Sequence, residues 1–414
     1  MELVRISTAG SVDDGKSTLI GRLLHDNNAL TKEQEELVAK KTKEKGWDDL
    51  DLSVITDGLV AEREQGITID VAHIYFSTKT HKFIIADSPG HIEYTRNMVT
   101  GASTAETSII LVDARKGLLE QSFRHFYISQ LLRLDSVIFC INKMDLVDYS
   151  EDEFIKIAIE IKNMVHQLGK DIPFELLPIS SLKGDNVVHK SKNMPWYDGP
   201  TLNDILHQKK SSKLDNLPFR FDVQQVYHTQ NEKFTDFRGY AGRVVSGSLS
   251  IGDRIITYPS RQESVVTELR KYKDTVDNVK SGTSVVISLA DEIDISRGAV
   301  ISHAGTNDLK ERKELSATVV WMDEKVATLG AKYILKAGAR ESLLKIQEIK
   351  NVVNPLEADK STKASEIRLN DIARVGLKLG QSIFMDSYAV NKKNGVFILI
   401  DPQTNATAAV GFVD

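Results

Sequence analysis

Residues 10 to 18 read GSVDDGKST. Gly10 and Gly15 enclose four positions and hand over to Lys16, Ser17 and Thr18, matching G-x-x-x-x-G-K-[ST]. The stretch follows a β-rich run, LVRIST (3 to 8), and precedes a helical pattern at 17 to 24, the strand–loop–helix setting this motif requires. The glycines let the backbone wrap until several N–H groups point inward at phosphate oxygens, and the helix start adds its positive end. Gly10, Ser11, Val12, Asp13, Asp14, Gly15, Lys16, Ser17 and Thr18 are therefore read as a phosphate cradle. Lys16 would bridge the terminal phosphates, a catalytic role, and Ser17 would offer its hydroxyl to Mg²⁺. A near-miss, GDNVVHKS (184 to 191), has histidine where the second glycine belongs and is set aside.

Working outward, short apolar runs recur at 71 to 77 (VAHIYFS), 82 to 87 (KFIIAD), 107 to 113 (TSIILVD), 136 to 142 (SVIFCIN) and 174 to 180 (FELLPIS). Near-continuous apolar strands of this kind suit a mostly parallel, doubly wound sheet covered on both faces by helices. Helical stretches fall between them, for example at 120 to 133 and 151 to 168. A further helix is expected at 31 to 45, where Thr31 and Gln34 form a capping box and acidic residues lead while lysines trail. It reads as a solvated structural helix or, alternatively, as a contact face for a partner.

The α/β pattern occupies residues 1 to 210. Past the polar stretch KKSSKLDN (209 to 216) the texture changes to short β-rich runs with dense turn signals, among them YAGRVVSGSLSIGDRIITY. Residues 217 to 305 are read as a small antiparallel barrel, and 311 to 414, with SATVVWM, GAKYILKAG and GVFILID, as a second.

The base is specified further along. Asn142, Lys143, Met144 and Asp145 form N-K-x-D directly after the run SVIFCIN. Alone, this is also what a capped helix start looks like. After a phosphate loop it reads as a guanine site, because a carboxylate can accept both the N1–H and the exocyclic amine of guanine. Such charge-assisted bonds contribute roughly 1.5 to 3 kcal/mol each, enough to select one purine over the other. The ligand is thus GTP with Mg²⁺.

Between the two motifs lies DSPGH: Asp87, Ser88, Pro89, Gly90 and His91. Asp87 would hold the Mg²⁺ water shell, and Gly90 would lend a backbone N–H to the third phosphate. Thr68, in EREQGITID (62 to 70), is placed to close on Mg²⁺ when that phosphate is present. These segments would be switches ordered by the triphosphate and released on its hydrolysis. His91 reads as the group that orients the attacking water, or as a loop histidine with structural bonds only. Ser180 and Ser181, in SSLKG, form a plain turn or a set of N–H groups facing the guanine oxygen.

Composition narrows the class. With 41% hydrophobic and 27% charged residues, the 414-residue chain is an ordinary globular protein of two or three domains. Fifty-three Lys plus Arg against 58 Asp plus Glu give a formal charge of -5, which argues against a nucleic-acid partner. The single cysteine, Cys140, sits inside an apolar run and reads as core, so a reducing, cytoplasmic setting is expected. No apolar run approaches a membrane span, and the start MELVRIS has neither the basic flank nor the apolar stretch expected of a signal peptide.

In order, GSVDDGKST, EREQGITID, DSPGHIEYTRNMVTGAS and NKMD resemble the translational-type GTPases of the elongation factor Tu kind. The resemblance covers nearly the whole chain and implies an α/β P-loop GTPase domain followed by two antiparallel β-barrels. It also implies guanine contacts for Ser180 and Ser181. Within that group, SVDDGKSTLIGRLLHD, DGLVAEREQGITIDVAHIYFST, INKMDLVDYS and DEIDISRG are most similar to the GTPase subunit of bacterial sulfate adenylyltransferase. That resemblance implies a heterodimer. A smaller catalytic subunit would handle ATP and sulfate, and GTP hydrolysis on this chain would drive the adenylyl transfer. Some relatives carry a fused adenylylsulfate kinase, and the absence of a second P-loop leads us to expect none of that activity here. SSL stands where SAL is commoner. A translation factor delivering tRNA or a release factor to the ribosome is the rival reading, and a stand-alone regulatory GTPase a third.

Overall fold

A computed structural model describes residues 1–46, 49–55, 71–88, 95–168, 172–209, 214–231, 234–305, 309–355, 361–362 and 364–414. The chain divides into two compact units, the first within residues 1–212 and the second covering 213–354 and 360–414.

The first unit is built on one six-stranded sheet. Its strands are β1 (Glu2–Ala9), β2 (Ala72–Ser77), β3 (His81–Asp87), β4 (Thr107–Asp113), β5 (Ser136–Asn142) and β6 (Phe174–Pro178), in the order β2-β3-β1-β4-β5-β6. Every pairing is parallel except that of the edge strand β2 with β3. Every residue of β4 and β5 is buried, which is why their sequences run apolar without alternation. Helices α1 (Lys16–Asp26), α2 (Lys32–Lys45), α3 (Thr95–Ala102), α4 (Glu120–Leu131), α5 (Glu151–Leu168) and α6 (Leu202–Gln208) lie between and after the strands.

Helix α1 contributes Leu19, Ile20 and Leu23 to a core with Val4, Ile6 and Ile109. Fully burying side chains of this size is worth about 1.5 to 3 kcal/mol each. Gly21 on the same helix is dictated by packing, since a Cβ there would stand 2.2 Å from the Leu52 carbonyl oxygen. Thr31 caps α2 through the expected box, accepting from the Gln34 N–H while Gln34 Oε1 accepts from the Thr31 N–H. Most of α2 is exposed, with Val38 buried. Cys140 is fully buried and its thiol is pushed up by desolvation, so it packs as core.

The second unit holds two closed six-stranded antiparallel barrels, as the turn-dense sequence predicts. In the first, Arg254–Tyr258, Val300–His303, Arg220–Asn231, Phe234–Ser246, Ser284–Leu289 and Glu263–Lys271 follow one another, and Arg254–Tyr258 pairs with Glu263–Lys271 to close the ring. In the second, Lys332–Ala337, Val396–Ile400, Thr407–Val413, Lys310–Trp321, Ile372–Met385 and Arg340–Val353 follow in turn, closed by Lys332–Ala337 on Arg340–Val353. Closure pairs the first and last of the six strands in each ring, with a two-residue strand, Asp274–Thr275 or Ser361–Thr362, at the end of each sheet.

A buried polar seam joins the barrels. The Arg220 guanidinium, 1% exposed, donates to both Asp386 carboxylate oxygens at 3.0 Å and to Ser302 Oγ at 2.9 Å. Asn394 Nδ2 donates to Asp386 at 2.7 Å, and Asn394 Oδ1 accepts from Arg340 at 2.8 Å. With both charges paired and bonded, the desolvation cost of burying them is met.

Candidate functional site

Because β1, β3, β4, β5 and β6 are parallel, their carboxyl ends lie along one edge of the sheet, where ligands of open α/β sheets bind. Four of the sequence motifs emerge there, among the described residues. Residues 10 to 15 leave β1 and enter α1, β3 ends on Asp87, β5 ends on Asn142, and Ser180 and Ser181 follow β6.

The phosphate loop folds as its residue types demand. Gly15 precedes α1 at φ 95°, and a Cβ there would stand 2.5 Å from Asn142 Nδ2, so both conformation and space require glycine. Lys16 is buried and donates Nζ to the carbonyls of Gly10 at 3.0 Å and Ser11 at 3.3 Å. Burial lowers its pKa, and the carboxylates of Asp87, Asp14 and Asp13 pull it back. Its ammonium is thus held by the loop's own carbonyls. The first N–H groups of α1 have no carbonyl one turn back and open toward the same space. Gly10, Ser11 and Asp14 are buried, Val12, Ser17 and Thr18 half-buried, and Asp13 exposed.

Asp87 is 1% exposed and accepts from Thr8 Oγ1 at 2.7 Å. Ser88 follows, also buried, and its Oγ has no partner among the described residues. Pro89, Gly90 and His91, and Thr68 upstream, lie outside the described residues.

The N-K-x-D segment is locked to the phosphate loop at two points. Asn142 Nδ2 donates to the Asp14 carbonyl at 2.7 Å, while its Oδ1 accepts from both N–H and Oγ of Ser181 at 2.9 Å. Lys143, at φ 64°, donates Nζ to the Asp13 carbonyl and pairs with Asp113 at 2.9 Å. Asn142 therefore ties three loops together, and Lys143 straps the base loop over the phosphate loop. Met144 is fully buried, its N–H on the Ile179 carbonyl at 3.2 Å. Next to this anchor, Asp145 Oδ1 is buried and has no hydrogen-bond partner among the described residues. A carboxylate oxygen desolvated without a partner is expensive unless a ligand donor completes it.

Ser180 is buried and shapes the turn, accepting from the Lys183 N–H at 3.1 Å. Arg22 on α1 holds the carbonyls of Ser181, at 3.2 Å, and Leu182. The Ser181 N–H is engaged by Asn142, so a guanine oxygen facing it would share or displace that bond.

Two supports escape a reading of motifs. Asp113, at the end of β4, has a fully buried carboxylate. Although burial opposes it, the Arg115 side chain and N–H together with Lys143 hold its pKa well below the usual carboxylate range. Only its place at a strand end, as the first residue of DARKG (113 to 117), hinted at this. The second lies in residues 194–197, MPWY, where Trp196 donates to the Tyr149 carbonyl at 3.0 Å and packs on Phe154, bracing the chain just past Asp145.

A parallel sheet with a glycine-wrapped loop, a buried strand-end aspartate and an N-K-x-D clamp defines a P-loop GTPase domain. Residues 1–214 match the family model of the elongation factor Tu GTP binding domain, and residues 314–414 match GTP-eEF1A C-terminal domain-like. At finer grain, the chain belongs to the sulfate adenylyltransferase subunit 1 family. It is 45% identical to the protein of that name from Colwellia psychrerythraea, over 100% of this chain and 88% of that one. It is 45% identical to that from Saccharophagus degradans, over 100% and 87%, and 44% identical to that from Bacteroides fragilis, over 100% and 86%. The solved structure of sup35 complexed with GDP aligns at 20% identity and a TM-score of 0.44, covering 100% of this chain and 93% of that one. That likeness is too distant to add to the assignment.

Proposed function

We infer that this chain is the GTPase subunit of a sulfate adenylyltransferase, an enzyme subunit that hydrolyses GTP. The three relatives named above carry that name and not a translation factor's, so the tRNA- or ribosome-binding reading is not favoured. The observation that carries the nucleotide assignment is Asp145, whose unpartnered buried oxygen stands in a loop anchored by Asn142 and Lys143 to the phosphate cradle.

In this reading guanine docks on Asp145 with Ser180 and Ser181 beside it. Lys16 leaves the Gly10 and Ser11 carbonyls for the β- and γ-phosphates, and the α1 N-terminus takes the α- and β-phosphate oxygens. Mg²⁺ fits the donor set, because Ser17 and Asp87 offer hard oxygens and the Asp87 carboxylate is buried and oriented by Thr8. When bound, Mg²⁺ would neutralise charge developing on the phosphate oxygens. Thr68 would complete its shell, and His91 would orient the attacking water. Both belong to segments that sense the third phosphate.

A smaller catalytic subunit handles ATP and sulfate and reads the switch segments, so that GTP cleavage biases it toward adenosine 5'-phosphosulfate and pyrophosphate. The setting is cytoplasmic. Among the described residues, no helix is long and apolar enough to cross a membrane. The test combines this chain with the smaller subunit, ATP and sulfate. Adenylyl transfer should rise at least about tenfold with GTP and not with a non-hydrolysable analogue, a change equal to about 1.4 kcal/mol of coupling. A rate indifferent to GTP would overturn the reading.

A further inference from the structure

We propose that Asp14 is a counter-charge built into the phosphate loop, which weakens the grip on the nucleotide's phosphates and hastens release of the diphosphate. The inference rests on residues 10–18 being the GTP cradle.

Asp14 is 2% exposed, a carboxylate enclosed by the loop itself. Its Oδ2 accepts from the Ser11 N–H at 2.7 Å. One N–H of the loop is thereby spent on the chain's own anion and withheld from a phosphate. Its Oδ1 is buried and has no partner among the described residues; this desolvation raises the carboxyl's pKa, while the Ser11 N–H and Lys16 favour its charged form. The facing charges are Lys16 and Lys116, which attract it, and Asp113, which repels it. Lys16 is the same cation that must meet the β- and γ-phosphates. A buried anion sharing that lysine lowers the net positive potential of the cradle, in a setting where charges are poorly screened. Repulsion must also grow with the charge of the ligand. The triphosphate feels it most, the diphosphate less, and guanosine not at all.

The experiment uses the full chain with Mg²⁺ and a fluorescent mant-GDP probe. Dissociation is followed by stopped flow, and affinities for guanosine, GDP and GTP by competition. Asp14→Asn keeps an oxygen for the Ser11 N–H and removes the charge, whereas Asp14→Ala removes both. With the fold verified by thermal unfolding, Asp14→Asn should slow mant-GDP release about tenfold or more and tighten GTP further than GDP, leaving guanosine unchanged. Asp14→Ser repeats the measurement should the asparagine variant be misfolded. Release from Asp14→Asn at the wild-type rate, with Asp14→Ala faster, would overturn the proposal and leave Asp14 a loop-holding residue. If the wild-type chain fails to bind mant-GDP, the nucleotide assignment itself is wrong. If it binds and the variants do not differ, only the counter-charge fails.

Discussion

Substituting Asp145 by asparagine replaces one carboxylate oxygen by an amide nitrogen and reverses half of the chemistry offered to a purine. The wild-type carboxylate can accept two hydrogen bonds at once. Its Oδ1 is buried without a partner among the described residues, so the bond made there displaces no described protein contact. Charge-assisted bonds contribute roughly 1.5 to 3 kcal/mol each, and an amide presents one acceptor and one donor group. Losing one bond and opposing an N–H to a guanine donor should therefore cost about 3 kcal/mol or more, a GTP affinity at least about 100-fold weaker. Xanthine carries an oxygen where guanine carries the amine, so the asparagine should bind XTP better than GTP. The assay is displacement of a fluorescent guanine nucleotide by GTP, GDP and XTP, with thermal unfolding to show that the loop survives. GTP affinity within about threefold of wild type would refute the reasoning, because that is under 0.7 kcal/mol and incompatible with loss of a desolvated bond.

Two other outcomes follow from the same site. His91→Ala should slow GTP hydrolysis by roughly 100-fold or more while leaving nucleotide affinity near wild type, measured by single-turnover phosphate release, if His91 aligns the water. His125, on α4, is buried, and desolvation together with Lys16 and Arg124 lowers its pKa to about 3. The unfolded chain then binds a proton below about pH 6.5 that the folded chain refuses, so stability falls as pH drops through that window. Between pH 6.5 and 4.5 the loss should be about 2 to 3 kcal/mol, and His125→Gln should remove that share of the slope in urea unfolding.

The first unit was legible because its local signals agree with its burial. Strands β4 and β5 are covered on both faces, and their sequences TSIILVD and SVIFCIN say so without needing a partner strand. The box at Thr31 is equally local, and the phosphate loop is legible because Gly15 has no room for a side chain. The polar devices were not legible. Arg220, in PFRFDV, reads as an exposed strand residue, yet it is 1% exposed and bonded to Asp386, 166 positions away. Nothing within a few residues of either announces the pair. Asp113 looks like the end of a strand, and its grip on Lys143 needs β4 and β5 side by side. The SSL turn is weak as sequence. It gains meaning only from Asn142, which holds Ser181 by two bonds. The barrels were legible as texture, from turn density and strand length, but closure depends on pairings such as Arg254 with Val265 that no single stretch specifies.

The most direct measurement is calorimetric titration of the isolated chain, in Mg²⁺, with GTP, GDP and ATP. The account predicts one guanine nucleotide per chain and no ATP heat at the concentrations that saturate with GTP. Comparable binding of ATP, or no binding of any of the three, would contradict it.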